Sequence, residues 1–208
     1  MKRITCKMCR RMGEKLCAHA KCAFERKPYP PGIHGKGKLK RRREVSEFSR
    51  QLSQKQKIRF LYGLSEHQFA RMVKKALKRH GENLENTISR FLETRLDNVI
   101  FRLGFAASPS MARMLINHGH VRVDGRKVTS SSFLVRPGYT ITIAPSVSLP
   151  SAGEEKFFVP SWLSRLDDTQ SPIESRGRSG KIEAWPDASQ EDRLRFPDTR
   201  GIIDYYAR

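Results

Sequence analysis

Residues 108–125 read SPSMARMLINHGHVRVDG, and their periodicity changes once, at Gly119. Ser108 followed by Pro109 is a helix start: a short hydroxyl side chain suits the N-cap, and proline fits the first turn, where its missing N–H would have no helical partner. Met111, Met114, Leu115 and Ile116 then give the helix one apolar side until the glycine ends it. Beyond Gly119 the period shortens to two. Val121 and Val123 alternate with Arg122, Asp124-Gly125 is a turn of the kind that joins twisted strands, and Val128 follows. Pro137-Gly138 turns the chain again into residues 139–143, where Ile141 and Ile143 alternate with Thr140 and Thr142. The expectation is a helix-plus-sheet module of about 50 residues.

Upstream the pattern is helical. Val45, Phe48, Leu52, Ile58, Leu61 and Leu64 are loosely helix-spaced, and Gly63 interrupts them. Ser65 and Gln68, three apart, offer a capping box for a helix with Phe69, Met72, Val73, Ala76 and Leu77 on one stripe and Gly81 at its C-terminal cap. A further single helix is predicted over 84–103 from Ile88, Phe91, Leu92, Leu96, Val99, Ile100 and Leu103, leaving Arg90, Arg95 and Arg102 off the core stripe. Downstream of residue 151, Pro160, Pro172, Pro186 and Pro197 break the pattern. That part is expected to be mostly loop, with a short helix after Pro160, a flexible stretch over 175–181, and an end at 202–206 apolar enough to dock on a core.

The net charge is +20 and the isoelectric point about 10.4. The excess is graded: 15 Lys or Arg against two Glu in residues 1–43, 17 against eight acids in 44–150, and nine against 11 in 151–208. A charge surplus serving solubility alone would not fall from +13 to -2 along the chain, so the first two-thirds are expected to face a polyanion, and nucleic acid is the obvious one. The basic start runs into Cys6 and Cys9 instead of an apolar stretch, and no apolar run reaches membrane-spanning length. The chain is therefore expected in the cytosol, where thiols stay reduced.

All four cysteines lie in one short stretch, as Cys6-x2-Cys9 and Cys17-x4-Cys22. Such pairs bring thiolates to one tetrahedral ion, and the surrounding Lys and Arg offset the charge of a four-thiolate site, so zinc is the favoured occupant. An iron-sulfur cluster is the weaker alternative, disulfides conflict with a cytosolic setting, and four free buried thiols would rarely cluster so. His19 is read as a bystander. A closed site of this type is structural, because catalysis requires an open coordination position.

Tyr29, His34, Lys36, Lys38, Lys40, Arg41, Arg42 and Arg43, interleaved with Pro and Gly, form a stiff basic path suited to RNA phosphates. In the module, Arg113, His118, His120, Arg122, Arg126 and Lys127 surround the helix end and the hairpin, an edge that can follow an RNA backbone by shape and charge.

The cysteine pairs, residues 26–32 (RKPYPPG) with His34-Gly35, residues 95–104 (RLDNVIFRLG), Ala112-Arg113, and residues 118–125 (HGHVRVDG) together resemble the bacterial-type family of small-subunit ribosomal protein S-four. The resemblance implies an α+β fold. Residues 1–43 would be a basic, metal-binding four-cysteine arm and 44–92 a helical domain completed by part of 158–208. Residues 93–157 would form an inserted RNA-binding domain, with 158–208 packing back on the helical domain. It adds Arg26, Lys27 and Arg95 to the RNA-binding residues. It further implies primary binding of 16S ribosomal RNA early in subunit assembly, in the cytoplasm, and contact with ribosomal protein S-five and other small-subunit proteins that affects decoding accuracy. Repression of a message, hence mRNA as a partner, occurs in some members. The rival is an RNA-modifying enzyme, since the module also resembles the targeting domain of certain pseudouridine synthases and Arg95-Leu96-Asp97 imitates their catalytic motif. The tail beyond residue 150 is too small and too broken for a catalytic domain, so no enzyme is expected. A free RNA-binding regulator would share the module but lack the arm.

Overall fold

The computed structural model describes residues 4–17, 21–40, 46–79, 83–147, 159–166, 179–186 and 200–206, without the side chains of 38–40 and 200. Two compact units emerge, residues 1–85 with 197–208 and residues 86–196.

In the first unit, α1 (Cys6–Met12), α2 (Ala23–Arg26) and α3 (Gly35–Lys40) are short, and α4 (Glu47–Leu61) and α5 (Glu66–Leu77) are longer. The expected capping box starts α5: Ser65 Oγ accepts from the Gln68 N–H and Gln68 Oε1 accepts from the Ser65 N–H, both at 3.2 Å. Phe69, Val73 and Ala76 are its buried stripe. The helix stops at Leu77, and Gly81, the expected cap, lies outside the described residues. The last helix of the chain, Arg200–Tyr206, packs on α4, with Ile202 fully buried and Tyr205 against Phe48 at 5.7 Å. The helices approach closely at Gly201, where a Cβ would displace the end of the Gln54 side chain.

A polar knot fixes this contact. Lys55, its side chain 5% exposed, places Nζ 2.6 Å from Glu66 Oε1 and 4.2 Å from the Tyr205 ring centroid. Tyr206 donates its hydroxyl to Glu66 at 3.3 Å, and burial, reinforced by the Glu66 charge, raises that hydroxyl above its usual range. Glu66→Ala leaves Lys55 buried against aromatic faces alone. It is expected to cost about 2 kcal/mol, a buried-pair loss discounted because Glu66 is partly exposed. Urea unfolding followed by tyrosine fluorescence reads it, and an unchanged midpoint would show that the knot contributes nothing.

In the second unit, the single helix expected over 84–103 is two helices, α6 (Leu84–Glu93) and α7 (Leu96–Arg102). Arg95 is extended (φ -67°, ψ 134°) and bridges to Leu134. The Val135 N–H donates to Thr94 O and the Leu96 N–H to Phe133 O, both at 2.9 Å. Pairing with a loop some forty residues away thus replaces helical bonds, which a local apolar period does not register.

Helix α8 (Pro109–Asn117) begins at Ser108, whose Oγ accepts from the Met111 N–H at 3.2 Å, with proline in its first turn. The hairpin of β1 (Val121–Val123) and β2 (Arg126–Lys127) turns at Asp124 and Gly125, with φ of 47° and 76°. Both angles are positive, as a primed two-residue turn demands. Strands β3 (Thr140–Ile143), β4 (Leu163–Arg165) and β5 (Ser179–Ile182) complete an antiparallel sheet in the order β2-β1-β3-β5-β4. Leu96, Val99, Ile100 and Leu103 of α7 and Ala112, Leu115 and Ile116 of α8 cover Val121, Val123, Ile141 and Ile143, all buried.

Strands β4 and β5 correct two expectations. The segment after Pro160 pairs as strand, Leu163 opposite Ile182, instead of forming a helix. Of the stretch read as flexible, 179–181 is strand, with Gly180 opposite Ile141, and 175–178 lies outside the described residues. The physical cause is tertiary: the Leu103 side chain fills the space where a Cβ on residue 180 would lie, and Arg165 Nε donates to Leu103 O at 2.7 Å. Hence of the described part of 158–208 only the last helix packs on the helical unit, while 163–165 and 179–182 join the sheet.

Candidate nucleic-acid interface and cysteine cluster

Helix α1 sets Cys6 and Cys9 one turn apart and ends at Gly13, φ 74°, whose N–H donates to Cys9 O at 2.9 Å. Cys9, Cys17 and Cys22 are buried with Ile4, Leu16 and Phe24 packed on them, and Cys6 is half-buried. The sulfurs of Cys6, Cys17 and Cys22 lie within 4.8 Å of one another, Cys17 and Cys22 at 3.4 Å. Thiolates about 2.3 Å from a tetrahedral zinc would sit roughly 3.8 Å apart, so these three need sub-ångström adjustment. Cys9 Sγ is not within that mutual distance; it accepts from the Leu16 N–H at 3.4 Å, the kind of bond that orients a thiolate. The all-thiol, largely buried donor set fits a soft metal ion. His19 lies outside the described residues.

Tyr29 anchors the basic arm. Arg10 packs its guanidinium 4.8 Å from the ring centroid and donates to Tyr29 O at 3.0 Å, and Lys36 Nζ lies 5.8 Å from the same ring. Gly35 is buried so close to Pro30 that a Cβ would strike the Pro30 carbonyl oxygen. Arg26, Lys27, His34 and Lys36 are exposed. Lys38 and Lys40 belong to α3 by backbone, and their side chains and Arg41, Arg42 and Arg43 lie outside the described residues.

In the module His118, Arg122, Arg126 and Lys127 are exposed and His120 is half-buried, its ring 6.3 Å from that of His118. Arg95 and Arg113 differ. Arg95 donates from Nε and Nη2 to the two Asp97 oxygens at 3.1 and 3.0 Å, and Arg113 Nε donates to Asp97 Oδ2 at 2.6 Å. The Asn98 N–H adds a bond at 2.9 Å to Asp97, which is 1% exposed. These two arginines, expected among the RNA-binding residues, are turned inward, and the carboxylate that imitates a catalytic one is sealed between them. Beside them Glu93, fully buried, accepts from Asn98 Nδ2 at 2.7 Å and Arg102 Nη2 at 2.9 Å.

One surface was missed at the level of sequence. His67, Arg71, Lys74, Lys75 and Lys78 line a groove along α5, opposite its buried stripe. Their spacing of four, three, one and three marks a single helical face about 17 Å long, a signal hidden because the helix was read for its apolar side alone. Glu66, the sole acid of α5, is drawn off to Lys55, and Arg71, Lys74 and Lys78 have no carboxylate partner among the described residues.

A family model described as "Ribosomal protein S4/S9 N-terminal domain" matches residues 1–93, and one described as "S4 domain" matches 94–141. Among curated relatives, a small ribosomal subunit protein uS4 of Thermotoga maritima is 45% identical, one of Thermus thermophilus 39% and one of Syntrophomonas wolfei 38%, each alignment covering 98% of this chain and 96% of the relative. With its N-terminal half and its helix-hairpin module each matched in order, and likeness sustained along nearly the whole length, the chain belongs to the small ribosomal subunit protein uS4 family.

Proposed function

We propose that this chain is a structural constituent of the small ribosomal subunit and works by binding ribosomal RNA, with no catalytic step. The observation that carries the reading is the helix end and hairpin of the module, where exposed His118, Arg122, Arg126 and Lys127 have no carboxylate partner among the described residues. Cations held on a rigid hairpin and left unneutralised by the protein suit a phosphate backbone. The α5 stripe and the exposed arm residues Arg26, Lys27, His34 and Lys36 give the first unit a basic surface of its own. Arg113 supports binding indirectly, since its bond to Asp97 ties α8 to α7 and so sets the hairpin's direction, and Arg95 holds that carboxylate in place at the start of α7.

The finer reading follows from the family. The RNA is 16S ribosomal RNA, bound early in assembly; protein neighbours include S-five and other small-subunit proteins, with an effect on accuracy; messenger RNA is a further polyanion the same surface suits; and the setting is the cytoplasmic ribosome. Cys6, Cys9, Cys17 and Cys22 would hold zinc, with Cys9 joining the other three. When bound, the ion supplies a fixed tetrahedral crosslink and no reactivity. Its four ligands, two on α1, one in the following loop and one at the start of α2, would lock α1 to α2, and Arg10, on α1, then presents Tyr29 and the start of the arm.

Binding to a small-subunit rRNA transcript across a salt series tests the proposal. Replacing Arg122, Arg126 and Lys127 together by Gln should lower the slope of log affinity against log salt by about 2, and Arg71, Lys74 and Lys78 together by a similar amount, at roughly 0.7–0.9 per phosphate contact. Wild-type protein that fails to bind the transcript, or to co-sediment with small subunits, would sink the reading.

A further inference from the structure

Beside the hairpin the second unit carries a groove of about 550 Å³ whose lining is mixed in a particular way. Val123 and Val128 form apolar wall, Phe133 and Tyr139 contribute aromatic rings, and Arg126 and Lys127 stand at its rim. The two rings are close to parallel, 19° apart with centroids 6.4 Å from each other, and both are half-buried. Asp124, the acid of this lining, is committed: its Oδ1 accepts from the Thr140 N–H at 2.8 Å and closes the turn.

From this arrangement we infer that the groove takes an unpaired nucleobase of ribosomal RNA, stacked on the Phe133–Tyr139 platform, with its flanking phosphates on Arg126 and Lys127. The inference rests on the RNA-binding reading above and adds a base-specific subsite to a surface otherwise suited to shape and charge.

Three features favour a base over other occupants. A phosphate alone would use the two cations and have no use for aromatic faces. A paired base keeps its faces inside the helical stack, so only a bulged or single-stranded nucleotide can present one to the rings. An apolar side chain from a protein would leave two cations at the rim without counter-charge. The platform is also held before any ligand arrives. The Phe133 N–H donates to Ser130 O at 3.2 Å and its carbonyl accepts from the Leu96 N–H at 2.9 Å. Tyr139 donates its N–H to Arg136 O and accepts from the Ile182 N–H, both at 3.1 Å. Rings on pinned backbone lose little freedom on stacking. The Tyr139 hydroxyl has no hydrogen-bond partner among the described residues, so it is left for the edge of a base, which offers both donors and acceptors.

The test is ultraviolet cross-linking of the full-length protein to a small-subunit rRNA transcript, with nucleotide adducts located by mass spectrometry. Adducts on Tyr139 or Phe133 are expected, together with a loss of affinity of about ten-fold or more in Tyr139→Leu, which keeps apolar contact with the core but removes the stacking face. Tyr139→Phe should retain most of that stacking, and neither variant should change the salt slope, since no ionic contact is lost. Wild-type protein that binds the transcript but cross-links only elsewhere overturns the inference and leaves RNA binding intact. Failure of wild-type binding overturns both. Shielding of Tyr139 from iodination in whole subunits but not on bare transcript would assign the groove to a protein partner and overturn it as well.

Discussion

Asp97→Asn is expected to lower the stability of the second unit by about 3–5 kcal/mol, the largest effect of any single polar substitution in it. The carboxylate accepts four hydrogen bonds, two from Arg95, one from Arg113 and one from the Asn98 N–H, and is 1% exposed. An amide of the same shape can accept through its single oxygen only, and its NH2 faces guanidinium donors. Two arginines with side chains 10% and 13% exposed then lose the carboxylate they share. The cost is mostly their desolvation, which the native pair offsets. Denaturant unfolding read by far-ultraviolet circular dichroism measures it. A double variant, Asp97→Asn with Arg113→Met, should recover part of the loss because one of the two buried guanidiniums facing the amide is gone. A midpoint within error of wild type in the single variant would show the triad to be energetically idle. Because α8 leads into the hairpin, RNA affinity should fall even where Asp97→Asn remains folded, with the salt slope unchanged.

Metal removal should have the other large effect, confined to the arm. Among the described residues the cysteine cluster is packed by Ile4, Leu16 and Phe24 alone, and its helices have seven and four residues. Isolated helices need about 12–15 residues to be even marginal in water, so neither α1 nor α2 holds on propensity. If the four thiolates bind zinc, the ion supplies most of the local stability, on the order of 10 kcal/mol by comparison with other small zinc sites. Purified protein should carry a single zinc ion, and a strong chelator should release it, make all four thiols reactive to a maleimide, and open Arg10, Arg11 and Lys15 to trypsin. Cys17→Ser should do the same without chelator. Protein that is metal-free as isolated yet equally resistant at these sites would refute the metal reading. RNA affinity should drop in parallel, because Arg10 on α1 holds Tyr29 at the start of the arm.

The parts of the fold that were readable share one property: their signals are local. The start of α8 needs Ser108 and Pro109, the capping box of α5 needs Ser65 and Gln68, and the hairpin needs Asp124-Gly125, each decided by backbone geometry within four residues. The cysteine spacing is local in the same sense, which is why a cluster could be expected and three of its sulfurs are found together. The composition alone also indicated a polyanionic partner, because charge summed over a segment does not depend on its conformation.

What the tertiary structure alone decided is long-range. The break at Thr94 and Arg95 exists because residues 133–135 pair there, and β5 exists because Leu103 and β3 receive Gly180. No window of sequence holds both partners of such a contact. The same reason governs the site. Arg113, Arg122 and Arg126 look alike as sequence, yet the fold carries Asp97, already paired with its neighbour Arg95, to Arg113 and leaves the other two to solvent. A guanidinium's role is set by which charge reaches it first, so the chain fixed the number and grading of its cations, and packing chose which of them remain for RNA.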